Sequence, residues 1–210
     1  MSTRPIKAWI VVIVAFALGL LLARTLLRVP GAPALERATL YPSARPIPAL
    51  ALVDQDSRAL GVASLRGHWT LVFFGFTQCP DVCPTTLATL ARVRGSLADL
   101  PPAQLPRVLL ISVDPERDTP QRLASYVHFF DPSFTAATGE PGAIDAVTRL
   151  FGVPYARVAA PGGGYTVDHG AAVFVVDPQA TIIAHSSPPH DAKAMAGDYR
   201  RIVAYTDRPR

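Results

Sequence analysis

The sequence predicts an α/β domain, a central mixed sheet flanked by helices, joined to an N-terminal transmembrane helix. Three observations predict it. An unbroken apolar run occupies residues 8–23, close to the N-terminus. Residues 70–76 and 107–113 are short, apolar and rich in β-branched or aromatic side chains, as strands covered on both faces are. Between them Leu87, Leu90, Val93, Leu97 and Leu100 recur at three- and four-residue steps, the period of an amphipathic helix.

The N-terminal run is 16 residues long, slightly short of the ~20 that cross a bilayer. Thr25, Leu26 and Leu27 extend it if Arg24 snorkels. A cleaved signal peptide is the competing reading, but its small-x-small pattern, Ala32-Pro-Ala34, lies well beyond the run. Basic residues flank both ends, so charge alone barely orients the segment. The short N-terminal flank with Arg4 and Lys7 is expected to stay in the cytoplasm. The domain then stands on the periplasmic or extracytoplasmic side of the inner membrane, where thiols can be oxidised. The expected plan is an anchor at 1–28, a Pro-rich linker at 29–48 and a folded domain at 49–206. The chain's net charge of +4 belongs to the anchor, because residues 1–30 hold four basic and no acidic side chains. The remaining 180 residues hold 16 of each sign, which gives no footprint for nucleic acid.

The prolines of residues 29–48 predict a stiff, extended spacer. Residues 50–53 then read as a strand, followed by a turn at Asp54-Gln-Asp-Ser57. The strand at 70–76 leads into Cys79-Pro-Asp-Val-Cys83-Pro, which holds the chain's two cysteines. Pro80 keeps Cys79 out of the helical region, and Pro84 suits the first helical position. Cys83 is thereby placed at or next to the helix cap, where free N–H groups and the helix dipole favour a thiolate. The two sulfurs could close a disulfide or, when reduced, grip one soft metal ion.

Past the strand at 107–113, Asp118 or Thr119 can cap a helix carrying Leu123, Tyr126, Val127 and Phe130. Residues 143–151 predict another short helix, and Pro161-Gly-Gly-Gly164 a loop without regular structure. Residues 171–177 and 180–185 flank Pro178-Gln179 as a hairpin, and a last helix runs over about 191–205. Strand, helix, strand, helix, hairpin and helix is a thioredoxin-like order, and a fold alone gives no function.

Four motifs carry a resemblance. Gly75-Phe-Thr-Gln-Cys-Pro-Asp-Val-Cys-Pro-Thr-Thr-Leu87, Ser112-Val-Asp-Pro-Glu-Arg-Asp-Thr-Pro120, Phe130-Asp-Pro132 and Tyr165-Thr-Val-Asp-His169 together resemble the Sco/SenC family over roughly residues 45–205. That resemblance implies a membrane-tethered, thioredoxin-fold copper protein linked to cytochrome c oxidase assembly. It implies Cys79, Cys83 and His169 as ligands of one copper ion per chain. It also implies the copper-bearing oxidase subunit as partner, with other copper carriers as further partners. Two positions depart from the family pattern: Gln78, where an aromatic residue or His is common, and Gly170, where Ser is common.

Chemistry weighs against the plainer readings. A disulfide across so short a loop removes little chain entropy, so a purely structural bridge gains little. Three residues separate the cysteines rather than the two of a thioredoxin motif, which weakens a pure oxidoreductase. Two alternatives stand beside the copper chaperone: a thiol-disulfide oxidoreductase that keeps oxidase-subunit cysteines reduced, and a copper or redox sensor. Asp168 reads as a partner orienting a ring or as a solvated turn carboxylate, and Asp81 as a helix-start acid. His128 reads as a packing or surface residue, and His185 with His190 as at most a weak metal site. Capping and loop hydrogen bonds account for Asp114, Glu116, Arg117 and Asp118.

Overall fold

A computed structural model of the chain describes residues 32–160 and 163–207, together with Trp9, Val12, Ile13, Ala15, Phe16, Leu18 and Gly19. Those seven residues are helical and exposed. The rest of the expected membrane span at 8–23 lies outside the described residues. Among the described residues no helix is long and apolar enough to cross a membrane. The chain divides into two units, Met1–Ala34 and Leu35–Arg210, and the second holds the sheet.

In the second unit, among the described residues, ten strands and four α-helices follow in order: β1 (Ala38–Pro46), β2 (Leu52–Asp54), β3 (Ala59–Leu60), β4 (Thr70–Gly75), α1 (Val82–Ser96), β5 (Arg107–Ser112), α2 (Pro120–Phe130), β6 (Thr135–Thr138), α3 (Pro141–Phe151), β7 (Tyr155–Ala159), β8 (Tyr165–His169), β9 (Val173–Val176), β10 (Thr181–Ser186) and α4 (Ala192–Thr206). Among the described residues eight strands form one mixed sheet in the order β1-β10-β9-β4-β5-β6-β2-β3. β4, β5 and β6 run parallel, and the β9–β10 hairpin adds antiparallel to β4. β7 and β8 form a separate antiparallel pair.

Central β4 explains why the sequence reads as a covered strand. All six of its residues are buried. On one face Trp69 meets Tyr199 of α4 edge-on, and Leu71 lines a small cavity with Val93, Tyr199 and Ile202. On the other, Phe74 meets Phe151 of α3 and Phe174 of β9. Each such side chain contributes roughly 1.5–3 kcal/mol by burial.

Two segments differ from expectation. Residues 38–46, part of the expected linker, form edge strand β1 on β10. The strand shifts register between Leu40 and Arg45, the stretch that contains Pro42, and an edge tolerates proline because it needs only one row of partners. The hairpin β7–β8 flanks the glycine-rich loop, which the sequence leaves without regular structure. Gly163 and Gly164 adopt positive φ there, the conformation a tight reversal needs.

Candidate metal centre

The site forms where β4 hands over to α1. Cys79 N–H donates to the Phe76 carbonyl at 3.3 Å, which folds the loop back on the strand. α1 begins at Val82, so Cys83 is its second residue and Pro84 its third, deeper in the first turn than the proline alone suggests. The Asp81 side chain caps no backbone N–H; it accepts from Thr85 Oγ1 at 3.3 Å. Instead, Cys83 N–H donates to Cys79 Sγ at 3.3 Å. A free N–H at the helix start thus points at sulfur, as a thiolate site requires.

Gly75, the last residue of β4, makes room for the second sulfur. A Cβ there would lie 2.9 Å from Cys83 Sγ, 3.1 Å from the Phe73 ring and 3.2 Å from Leu110. The loop above is anchored by Asp118, which is fully buried. Its carboxylate accepts from Thr77 N–H at 3.0 Å, from the Thr77 hydroxyl, and from Ser112 Oγ at 2.6 Å. Thr119, not Asp118, caps α2 by accepting from Arg122 N–H. Both roles need the third dimension: nothing local marks Gly75 or Asp118 as neighbours of the cysteines.

His169 arrives from the end of β8. Its Nε2 lies 3.4 Å from Cys83 Sγ. Its Nδ1 donates to the Gly170 carbonyl at 3.1 Å, which fixes the ring with Nε2 turned toward the thiols. Phe73 and Phe76 pack edge-on against the imidazole, with centroids at 6.1 and 5.9 Å. The ring is therefore oriented by a main-chain carbonyl and two aromatic edges. Asp168 is exposed and stands opposite Ala156 across the hairpin. A Cβ on Gly170 would meet Pro154 and Val153 at 3.5 Å, ordinary contact, so the glycine is not sterically demanded.

The two thiols are unequal. Cys79 is half-buried and Cys83 buried, and both are free. The hydrogen bond from the Cys83 thiol, helped by His169 and by the N–H groups of Cys83 and Asp81, holds Cys79 down at about 4 against the opposing effect of burial. The same hydrogen bond and burial push Cys83 up.

Among the described residues Cys79, Cys83 and His169 form a group whose donor atoms all lie within 4.8 Å of one another. Two donors each about 2.3 Å from one ion stand at most about 4.6 Å apart, so a slight closing of the half-buried Cys79 suffices. Two sulfurs and an imidazole fit a soft ion, copper above all. The other four histidines stand elsewhere: His68 lies in the bend before β4, His128 is exposed on α2, His185 stacks on Tyr41, and His190 Nε2 donates to the Ala171 carbonyl at 2.8 Å.

Fold and site together define a class: a thioredoxin-like α/β domain with a Cys–Cys–His centre at a strand-to-helix turn. The SCO1/SenC family model matches residues 42–204, and the chain belongs to that family. It is 32% identical over 188 residues to the SCO2-like protein RT0576 of Rickettsia typhi, covering 88% of this chain and 92% of that one. It is 33% identical over 155 residues to the mitochondrial SCO1 homolog 1 of Arabidopsis thaliana, covering 73% of this chain but 46% of that longer protein. Among solved structures, Arabidopsis thaliana ScoI with copper bound superposes with a TM-score of 0.70 at 32% identity, over 75% of this chain and 98% of that one. Bradyrhizobium japonicum ScoI with copper bound gives 0.65 at 35% identity, over 73% and 96%.

Proposed function

We propose that the chain is a membrane-anchored copper chaperone that helps assemble the dinuclear copper site of cytochrome c oxidase. One observation carries the reading: the convergence of Cys79 Sγ, Cys83 Sγ and His169 Nε2 within 4.8 Å. Copper is the cargo, one ion per chain, and the two ScoI structures hold copper. BsSco is a member of the Sco family of cytochrome c oxidase assembly proteins, and this chain's membership of the SCO1/SenC family supports the same role. Cys79, the more accessible sulfur, is the ligand that a receiving subunit reaches first. Buried Cys83 and the hairpin-borne His169 hold the ion until that exchange. The apolar segment at 8–23 tethers the domain on the periplasmic side of the inner membrane, within reach of the copper-bearing subunit.

The test is a Cu(I) titration of the full chain in detergent against a competing chelator. One tight site per chain is expected, lost in Cys79→Ala and in Cys83→Ala. In a separate loading with Cu(II), the sulfur-to-Cu(II) charge-transfer band of His169→Ala is shifted or absent, while its metal-free cysteines still form a disulfide. No tight site, or two, overturns the reading.

A second reading is favoured by the unequal thiols. A thiolate on Cys79 beside a protonated Cys83 can attack a disulfide of the oxidase subunit and release one thiolate. Cys83, deprotonated, then attacks Cys79 Sγ, closing the intramolecular disulfide and releasing the second thiolate. The subunit gains two electrons and the chain loses them. Reduction of an oxidised subunit by the metal-free chain, unaffected by His169→Ala, would favour this reductase.

A further inference from the structure

The turn after β5 carries a guanidinium with more contacts than the turn needs. Arg117 Nε donates to Asp114, which is fully buried. The other oxygen of Asp114 accepts from the Tyr165 hydroxyl at 2.8 Å. The guanidinium lies over the Tyr165 ring, 3.8 Å from its centroid. Its Nη1 donates both to the Tyr165 carbonyl at 2.9 Å and to Gln78 Oε1 at 3.2 Å. One nitrogen therefore bridges the residue before Cys79 and the first residue of the strand that ends in His169. Phe76, whose ring touches the imidazole edge-on, also lies beneath the guanidinium at 5.9 Å. A second pair, Arg157 to Glu116 at 2.8 Å, ties β7 to the same turn.

Capping does not account for this cluster. Thr119 caps α2 and Asp118 anchors Thr77, so neither uses Arg117. The hairpin β7–β8 shares no ladder with the main sheet among the described residues. Its position relative to the cysteines depends on side-chain contacts: Val167 packs in the core, the Tyr155 hydroxyl donates to Asp145 of α3, and Arg117 holds the start of β8 against the cysteine loop. Tyr165 stands four residues before His169, roughly 13 Å along an extended strand. A shift at the first end is carried to the second by a stiff, paired strand.

We propose that Arg117 is a positioning residue for His169. It clamps the β7–β8 hairpin onto the cysteine loop, and so sets how closely the imidazole approaches the two sulfurs and how firmly the third ligand holds copper. Gln78, one of the chain's departures from its family pattern, supplies the acceptor on the loop side. Lysine cannot replace the clamp, because one ammonium cannot span Asp114, Gln78 and the Tyr165 carbonyl while stacking on a ring. The copper part of this inference rests on the chaperone reading; the positioning part does not.

The experiment compares the full chain in detergent with Arg117→Ala, Arg117→Lys and Gln78→Ala. Without metal, amide exchange of β8 should quicken about tenfold or more in Arg117→Ala, while β9 and β10 keep their rates. With Cu(I), affinity should fall roughly 10- to 100-fold, and with Cu(II) the sulfur-to-Cu(II) charge-transfer band should move toward that of His169→Ala. Combining Arg117→Ala with His169→Ala should cost no further affinity, since a residue acting through His169 has nothing left to act on. Arg117→Lys should behave like Arg117→Ala, and Gln78→Ala, an exposed and mild change, should shift both readouts the same way by less. Unchanged β8 exchange, full rescue by lysine, or an equal affinity loss in the His169→Ala background overturns the proposal. If the parent binds no copper, the chaperone reading fails and β8 exchange alone decides the positioning.

Discussion

Cys83 Sγ and His169 Nε2 lie 3.4 Å apart although 86 positions separate them in sequence. One atom sits on the first turn of α1, on a glycine floor at the end of a buried strand. The other hangs from a two-stranded hairpin outside the main sheet. The metal centre thus joins a rigid half to a separately held half. The hairpin half is tied to the core through Val167.

Gly75→Ala tests the rigid half. The new methyl would stand 2.9 Å from Cys83 Sγ and 3.2 Å from Leu110, inside contact distance on both sides. Overpacking of this kind costs roughly 1–3 kcal/mol. We expect a lower urea midpoint together with weaker Cu(I) binding, because the sulfur is the atom displaced. An unchanged midpoint with parental copper affinity would show that Gly75 does not set the thiol position.

The contrast between legible and illegible elements has physical causes. β4, β5, α1 and the β9–β10 hairpin are readable because each buries a full face or both faces, and burial writes a period into sequence. β1 is not, because an edge strand pairs on one side and keeps the prolines that also mark a spacer. β7 and β8 are not, because their partner is each other: Tyr155–Ala159 is half exposed and shows no alternating burial. At the site, Cys79 and Cys83 stand out by residue type and position, and the family resemblance adds His169; the structure brings the three together. Gly75, Asp118 and Arg117 act across the fold, so neither spacing nor period betrays them. Their own neighbours in sequence suggest a strand end and a capped turn.

Asp118 predicts a pH dependence. Burial raises its carboxyl above the ordinary 3.8 despite hydrogen bonds from Ser112 and Thr77. Between 3.8 and that raised value the folded chain holds a proton that the unfolded chain has released. Unfolding then releases the proton, so this group's contribution to stability falls as pH rises through the window. Asn keeps an acceptor for Thr77 N–H and Ser112 and cannot titrate. Asp118→Asn should therefore fold, and its denaturation midpoint should change less over that window than the parent's. Identical pH profiles across the acidic range would remove Asp118 as the source.

His190 and His185 should behave differently from each other. The His190 bond to the Ala171 carbonyl fastens the chain two residues after His169. His190→Ala should cost about 1 kcal/mol, the net value of one hydrogen bond, and weaken copper far less than His169→Ala does. His185 stands between Tyr41 and Phe174, with centroids at 5.3 and 6.2 Å, and touches no part of the metal centre. His185→Ala should lower stability through lost packing and leave copper affinity at the parental value. Copper loss in His185→Ala equal to that in His169→Ala would mean the ligand histidine has been misassigned.

Asp198 of α4 decides whether the segment after residue 34 is spacer or fold. Its side chain is 1% exposed. Its carboxylate accepts from Arg37 N–H at 2.7 Å, from Glu36 N–H at 2.8 Å and from Ala38 N–H at 2.8 Å, with Arg201 alongside at 2.9 Å. Successive N–H groups converging on one anion form a nest, and the nest starts β1 on its course along β10. Burial alone would raise this carboxyl, but the N–H donors and the Arg201 guanidinium outweigh it and hold Asp198 below its ordinary 3.8. The sign is opposite to that of Asp118: stability from this group is full above 3.8 and is lost as pH falls through the lowered folded value. Asp198→Ala strands three backbone donors, and leaving even one such group unpaired costs roughly 1–3 kcal/mol. We expect a loss of at least that size at neutral pH, fast amide exchange at Glu36, Arg37 and Ala38, and a flatter acid limb than the parent's. Asp198→Asn, which keeps one acceptor oxygen, should recover part of the stability and none of the acid dependence. If Asp198→Ala instead matches the parent in denaturation midpoint and in exchange at residues 36–38, β1 is dispensable and the segment behaves as a tether up to the sheet.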